Sequence, residues 1–183
     1  MGRPSNRERR RHEILAAFAR VLADHGYAGA TIARIADEAG VAPGLVHHHF
    51  ESKAELLSGL LQDLVAGFRG RIRASGTEES DPLLAYVDAA LALDARADLV
   101  AAKCWVGMFA EAVRDPTLFV QVRRLIDTEI GVIQDRSRGA FSAQDAGAVL
   151  AFILGALVLG AFAPRKTAGF AAPALRRFVA SLR

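Results

Sequence analysis

Apolar residues recur at spacings of three and four along most of this chain, and this period constrains its fold more than any other feature. Ile14, Leu15, Phe18 and Leu22 form one such stripe, and no stretch of four or more residues alternates as a half-buried strand does. Of the 183 residues, 52% are hydrophobic and 23% are charged, which is enough to bury a core. The sequence therefore predicts an all-α protein of about nine helices.

Capping residues place the boundaries of the first helices. Gly26 is expected to end the first helix, Thr31 to cap the second and Gly40 to close it. A third, short helix is predicted at 43–50, with Pro43 at its first position. The segment 52–55 reads as a capping box at the start of a long fourth helix.

Later helices follow from similar signals. The pairs Asp81-Pro82 and Asp115-Pro116 each combine a cap with a first-turn proline, and Ser142 begins a further helix that Pro164 stops. The polar segment 75–80 reads as a loop. The predicted helices lie at 82–94, 98–113, 116–135 and 142–163, with a last one after Pro173.

Positive charge is concentrated at the N-terminus. Five arginines lie in residues 1–12 against one acid, Glu8, whereas the formal net charge of the whole chain is only +3. This distribution is typical of a chain with an anionic partner such as nucleic acid. A solvated, disordered tail explains it equally well.

The second and third helices are joined by 39–42 and have the spacing of a helix-turn-helix. The third is predicted to turn Val46 and Phe50 inward and to present Pro43, Gly44, Leu45 and His48 outward. A helix about 10–12 Å across fits the major groove of duplex DNA, which is roughly 12 Å wide.

The segment 31–57, TIARIADEAGVAPGLVHHHFESKAELL, resembles the N-terminal domain of TetR/AcrR-family transcriptional regulators. The resemblance extends over roughly 9–65. It implies a DNA-binding domain at 1–52, including the basic arm, and an effector-binding and dimerisation domain at 53–183. It also implies a homodimer on double-stranded operator DNA.

Residue roles follow from the resemblance position by position. Thr31 and Lys53 would contact phosphates, and the basic arm would add contacts through Arg10. The family often has Tyr at position 47 and Ser or Thr at position 42, so His47 and Ala42 are departures. The predicted DNA-binding residues are Arg10, Thr31, Ala42, Pro43, Gly44, Leu45, His47, His48, His49 and Lys53.

Two features suggest alternative sites. Three consecutive histidines invite a metal, but neighbouring helical residues point about 100° apart and no i, i+4 pair is present, so no metal or cofactor is predicted. The segment 146–163 is uncharged and at the lower limit of a membrane span. Half of it is Ala or Gly, and with 173–182 it is predicted to form a dimer interface; a membrane span is the alternative.

The C-terminal part is expected to hold a small apolar or amphipathic effector. Trp105 is suited to a cation, and the string 104–116 resembles the BetI-like branch of the family. Any of these apolar residues can equally be core. The predicted effector residues are Tyr86, Trp105, Met108, Phe109, Phe119 and Phe152.

These features predict a cytoplasmic, ligand-responsive repressor that recognises an inverted repeat. The alternative is an architectural DNA-binding protein without a ligand. No paired catalytic groups or phosphate-binding loop stand at readable spacing, so no enzyme is predicted. The single cysteine, Cys104, excludes an internal disulfide and is expected to be a buried apolar residue.

Overall fold

The computed structural model describes residues 5–75, 81–91, 99–163 and 169–182. Within these ranges the chain forms nine helices and no strand, which confirms the all-α prediction. The helices are α1 (Asn6–Gly29), α2 (Ile32–Ala39), α3 (Pro43–His49), α4 (Lys53–Ser75), α5 (Pro82–Leu91), α6 (Leu99–Ala112), α7 (Pro116–Arg136), α8 (Ala143–Phe162) and α9 (Ala171–Ser181).

Short polar side chains begin several of these helices as the sequence predicts. The Asp115 carboxylate accepts from the Leu118 amide at 2.9 Å, and the Asp81 carboxylate accepts from the Leu83 amide at 2.8 Å. Ser142 caps α8, and the Asp145 carboxylate accepts from the Ser142 amide at 2.9 Å. Each side chain satisfies amides that have no partner within the helix.

Three predicted boundaries need correction. α1 kinks at Gly26 (φ 66°, ψ 174°) and then regains a turn up to Gly29. Ser52 does accept from the Glu55 amide, but the Glu55 carboxylate accepts from the Glu51 amide and not from Ser52. α9 starts before Pro173, which is tolerated because first-turn amides need no helical partner. Residues 76–80 of the predicted loop, the segment 92–98 and Pro164 lie outside the described residues.

Two buried clusters organise the fold. The first joins α1–α3 to the first half of α4 and to α6 and α7, and the second joins α5, α7, α8 and α9. α4 belongs to both, since Leu56 packs in the first cluster and Ile72 in the second. α6 also lies between them: Cys104 is fully buried in the first, while Trp105 packs against both. The N-terminal helices therefore share their core with the C-terminal ones.

Candidate nucleic-acid interface and ligand cleft

α2 and α3 form a helix-turn-helix whose turn is built as the sequence predicts. The Thr31 hydroxyl accepts from the Arg34 amide at 3.3 Å and starts α2. Gly40 ends α2 in the left-handed region (φ 64°), which glycine adopts without steric cost. The Val41 amide then donates to the Ala36 carbonyl at 2.9 Å, which closes the turn.

α3 is held by two buried side chains and leaves its other face open. Val46 and Phe50 are fully buried, whereas Leu45 and His49 are partly buried. Ala42 is the N-cap and provides no side-chain hydrogen bond, so the start of the helix depends on Pro43. The exposed positions are Ala42, Pro43, Gly44, His47 and His48.

Arg11 fixes the C-terminal end of α3, a role that sequence reasoning missed. Its guanidinium donates to the His49 carbonyl at 2.8 Å and lies 4.0 Å from the centre of the Phe50 ring. It also reaches the Glu55 carboxylate at 3.3 Å. Arg11 on α1 therefore connects the end of α3 to the start of α4.

Lys53 does not project freely as a phosphate ligand would. Its ammonium donates to the Tyr27 carbonyl at 2.6 Å and lies 4.1 Å from the centre of the Tyr27 ring. An ammonium has three donors, so this contact leaves it able to make others. A phosphate contact by Lys53 stays a prediction.

The basic run is mostly helix and not a flexible arm. Residues 1–4 lie outside the described part, but α1 begins at Asn6 with a capping box between Ser5 and Glu8. The Arg10 guanidinium donates to the Glu13 carboxylate at 2.6 Å along the helix surface. Capping and charge pairing along the helix stabilise α1 there, so the basic residues from Arg7 to Arg11 lie on a helix.

The histidine run forms one edge of the exposed α3 face. The rings of His48 and His49 meet edge to face, with centroids 5.3 Å apart. Burial lowers the pKa of the His49 imidazole, and the positive charge of nearby arginines lowers it further. Within the described ranges, no three His, Cys, Asp or Glu side chains are grouped to hold a metal ion.

A small, largely apolar cavity of about 60 Å³, here called the cleft, lies between the C-terminal helices. Of the residues predicted to bind an effector, Tyr86, Trp105 and Phe109 line this cleft. Phe68, Arg71 and Glu129 also line the cleft, and sequence reasoning did not select them as effector-binding residues. The rings of Trp105 and Phe109 stack with centroids 5.8 Å apart, so α6 forms an aromatic wall of the cleft.

Three predicted effector residues do not line the cleft. Met108 is fully buried on the other face of α6, because adjacent helical residues point about 100° apart. Phe119 is 51% exposed near the start of α7. Phe152 packs partly buried against the second cluster, beside the cleft but outside its lining.

Glu129 is the buried charge of the cleft and is already compensated. It is 6% exposed, accepts from the Tyr86 hydroxyl at 2.8 Å and meets the Arg69 guanidinium at 3.4 Å. Burial and the adjacent carboxylate raise the pKa of the Tyr86 phenol, which keeps it a hydrogen-bond donor. This arrangement satisfies the carboxylate without a ligand.

α8 and α9 present an open apolar surface. The exposed large side chains there are Val158, Leu159, Phe162, Phe170 and Phe178. Among the residues that the structure describes, α8 alone is long and apolar enough to cross a membrane, with a mean hydropathy of 2.1 and 22% of its span buried. Such a surface favours a partner that covers it.

A solvent-exposed third helix on a helix-turn-helix, beside a larger helical part with an apolar cleft, is the architecture of a DNA-binding regulator. Residues 14–60 match the family described as bacterial regulatory proteins, tetR family. The regulator BetI of Rhizobium meliloti is 33% identical over 120 residues, 64% of this chain and 57% of that protein. BetI of Escherichia coli O157:H7 is 28% identical over 83% of this chain and 82% of the relative.

Solved structures have the same fold. A transcriptional regulator from Rhodococcus sp. Rha1 superposes with a TM-score of 0.83 at 23% identity, covering 94% of this chain and 95% of the other. A regulator from Saccharomonospora viridis, solved in complex with choline, gives a TM-score of 0.76 at 20% identity and covers 95% of both chains. Residues 14–60 therefore match the tetR family of bacterial regulatory proteins, and the chain is similar in sequence to BetI regulators and in fold to solved transcriptional regulators.

Proposed function

We propose that this chain is a homodimeric, cytoplasmic repressor that binds an inverted-repeat operator through α3 and releases it when a small molecule enters the cleft. The DNA-binding domain would extend over 1–52 and the effector and dimerisation domain over 53–183. Operator contacts are assigned to the exposed α3 face and its flanks, that is, to Arg10, Thr31, Ala42, Pro43, Gly44, Leu45, His47, His48, His49 and Lys53.

The open face of α3 is the observation that carries this proposal. Seven residues are too few for a helix to be stable alone, so α3 depends on Val46 and Phe50 in the core. Its opposite face has no internal role. At Gly44 an added side chain would meet nothing within 4 Å, although alanine would favour the helix by about 1 kcal/mol. A glycine there suits close approach by another molecule.

A second copy of the chain is the partner proposed for α8 and α9. The exposed face of α8 has small residues in its middle, Ala151 and Gly155, and large apolar residues towards its end, Leu159 and Phe162. Small residues let two helices approach closely, and the large ones fill the space between them. Two copies related by a two-fold axis would present two α3 helices to half-sites about 34–36 Å apart.

α6 is the proposed connection between the cleft and the DNA-binding helices. Trp105 and Phe109 line the cleft, while Cys104 on the next helical face donates to the Ala19 carbonyl of α1 at 3.2 Å. A molecule that displaces the aromatic wall would therefore act on α1 directly. The Saccharomonospora viridis protein holds choline, which supports a small-molecule effector for this chain.

Selection of bound sequences from a random pool of duplex DNA tests the function. The expected result is an inverted repeat, bound by two chains. Gly44→Leu is expected to leave the fold intact and to weaken operator binding by at least tenfold, because the new side chain occupies the open α3 face. Gly131→Leu is the matched control, since Gly131 is also helical with nothing within 4 Å of an added side chain.

An architectural DNA-binding protein would give a different outcome. Its selected pool would show no shared repeat, and its affinity would depend on salt but not on sequence. If Gly44→Leu and the unchanged protein bind the operator equally well, α3 does not form the DNA interface.

A further inference from the structure

A second concavity lies beside the cleft, between α4 and α7, and is here called the arginine groove. It is an open space of about 550 Å³ with an apolar floor and three arginines. No Asp or Glu is among its lining residues. These are Leu61, Gln62, Val65, Ala66, Arg69, Arg73, Gln121, Arg124, Leu125 and Thr128.

The arginine groove and the cleft are neighbours across a thin wall. Val65 and Leu125 line both spaces, and both side chains are only partly buried. Arg69 lines the groove, and its guanidinium meets the Glu129 carboxylate, which lines the cleft, at 3.4 Å. A molecule that moves these two apolar side chains can therefore occupy both spaces.

The charges of the groove are of one sign. Arg73 and Arg124 are exposed, and within the described ranges neither forms an ion pair. At one end, the Gln121 amide donates to the Ser58 hydroxyl at 3.1 Å and joins α7 to α4. A guanidinium matches the two oxygens of a carboxylate, so this groove suits an anion.

We propose that the cleft and the arginine groove form one site for an amphipathic organic anion, whose apolar part enters the cleft and whose carboxylate lies between Arg73 and Arg124. This inference rests on the proposed effector function. Glu129 sets the orientation, because a second carboxylate next to it would be repelled. The acidic end therefore faces outward, to the groove.

The same charges disfavour a cationic ligand. Glu129 already accepts from Tyr86 and meets Arg69. A further guanidinium group, that of Arg136, lies 5.8 Å from the centre of the Tyr86 ring. An added cation would meet more positive than negative charge here.

Three ligands of equal chain length test the proposal: sodium octanoate, 1-octanol and octyltrimethylammonium. Trp105 is the single tryptophan and lines the cleft, so its fluorescence reports occupancy. We expect octanoate to bind at least tenfold more tightly than octanol, with octyltrimethylammonium weaker than both. Choline serves as a second cationic probe, and tighter binding of either cation would overturn the proposal.

Substitutions separate the groove from the cleft. The double change Arg73→Gln and Arg124→Gln should reduce octanoate affinity about tenfold, to that of octanol, and leave octanol binding unchanged. Arg123→Gln is the matched control, because Arg123 is exposed on α7 outside the groove. Unchanged octanoate affinity in the double variant would overturn the assignment.

Failure of this inference can be told apart from failure of the proposed function. Operator binding and dimerisation are measured on the same preparations without ligand. If both hold and octanoate does not bind, the anion site is wrong and the regulator remains. If operator binding fails as well, the proposed function is wrong.

Discussion

α3 and α8 are both half-buried helices, but their open faces have opposite chemistry. α3 buries Val46 and exposes Pro43, Gly44, His47 and His48. α8 buries Ile153 and exposes a face without a charged residue, which ends at Leu159 and Phe162. In each helix one face is held by the chain's own core, and the other face indicates the kind of partner.

The two exposed faces favour different kinds of partner. A short helix that packs on the core through one face can contact the phosphates and bases of DNA through its polar face without exposing a large apolar area. A long apolar face exposed to water is stabilised when a similar face covers it, at about 25 cal/mol per Å² of apolar surface removed. The first surface suits DNA and the second suits a second copy of the chain.

The largest expected effect is on the α8 surface. Gly155→Arg places a charge on the exposed apolar face, where an added Cβ meets nothing within 4 Å, so the monomer should fold. Burying an unpaired charge costs several kcal/mol, so we expect the dimer dissociation constant to rise by at least 100-fold. Sedimentation equilibrium measures it.

Gly131→Arg on α7 is the control for that change. It makes the same substitution at another helical glycine with open space around it. A Gly155→Arg protein that stays dimeric would show that α8 is not the interface. Partition of the unchanged protein into membranes would instead favour the membrane alternative for α8.

Local and long-range features differed in how far they could be predicted. Thr31 and Gly40 act on atoms within five residues of themselves, and the sequence placed both correctly. Glu129 and Tyr86 meet across 43 residues, and their contact depends on how α5 and α7 pack. Met108 and Phe109 are neighbouring large apolar residues, and the sequence does not show which of them reaches the cleft. The orientation of the helix decides this.

A second prediction concerns the contact between Arg11 and Glu55, next to the C-terminal end of α3. Glu55→Ala removes the anchor of Arg11 and also removes a negative charge from the proposed DNA-facing end. If Arg11 positions α3, operator affinity should fall about tenfold, since hydrogen bonds to charged groups contribute about 1.5–3 kcal/mol and this pair is partly exposed. If Arg11 instead binds phosphate directly, freeing it should strengthen binding. A fluorescence-anisotropy titration with operator and random duplex distinguishes the two.

A smaller effect is expected at Lys53. Lys53→Met keeps an unbranched apolar chain over the Tyr27 ring and removes the charge. We expect binding to all duplexes to weaken by about threefold, and the slope of log K against log salt to fall by about one unit. An unchanged slope would mean that the bond to the Tyr27 carbonyl is the whole role of Lys53.

The smallest effect is a pH dependence that α3 should have and the exposed α8 face should lack. The pKa of His49 lies below its ordinary value because of burial and nearby positive charge. As pH falls through the ordinary histidine range, the unfolded chain takes up the proton before the folded one, so the free energy of unfolding falls. DNA phosphates reverse the sign, since they stabilise the imidazolium, and operator affinity should rise by a few-fold between about pH 7.5 and 6.

His49→Gln should reduce the pH dependence of both the free energy of unfolding and the operator affinity. The dimer dissociation constant should change with neither pH nor this substitution. An affinity that falls with acid in the unchanged protein would place His49 away from the phosphates.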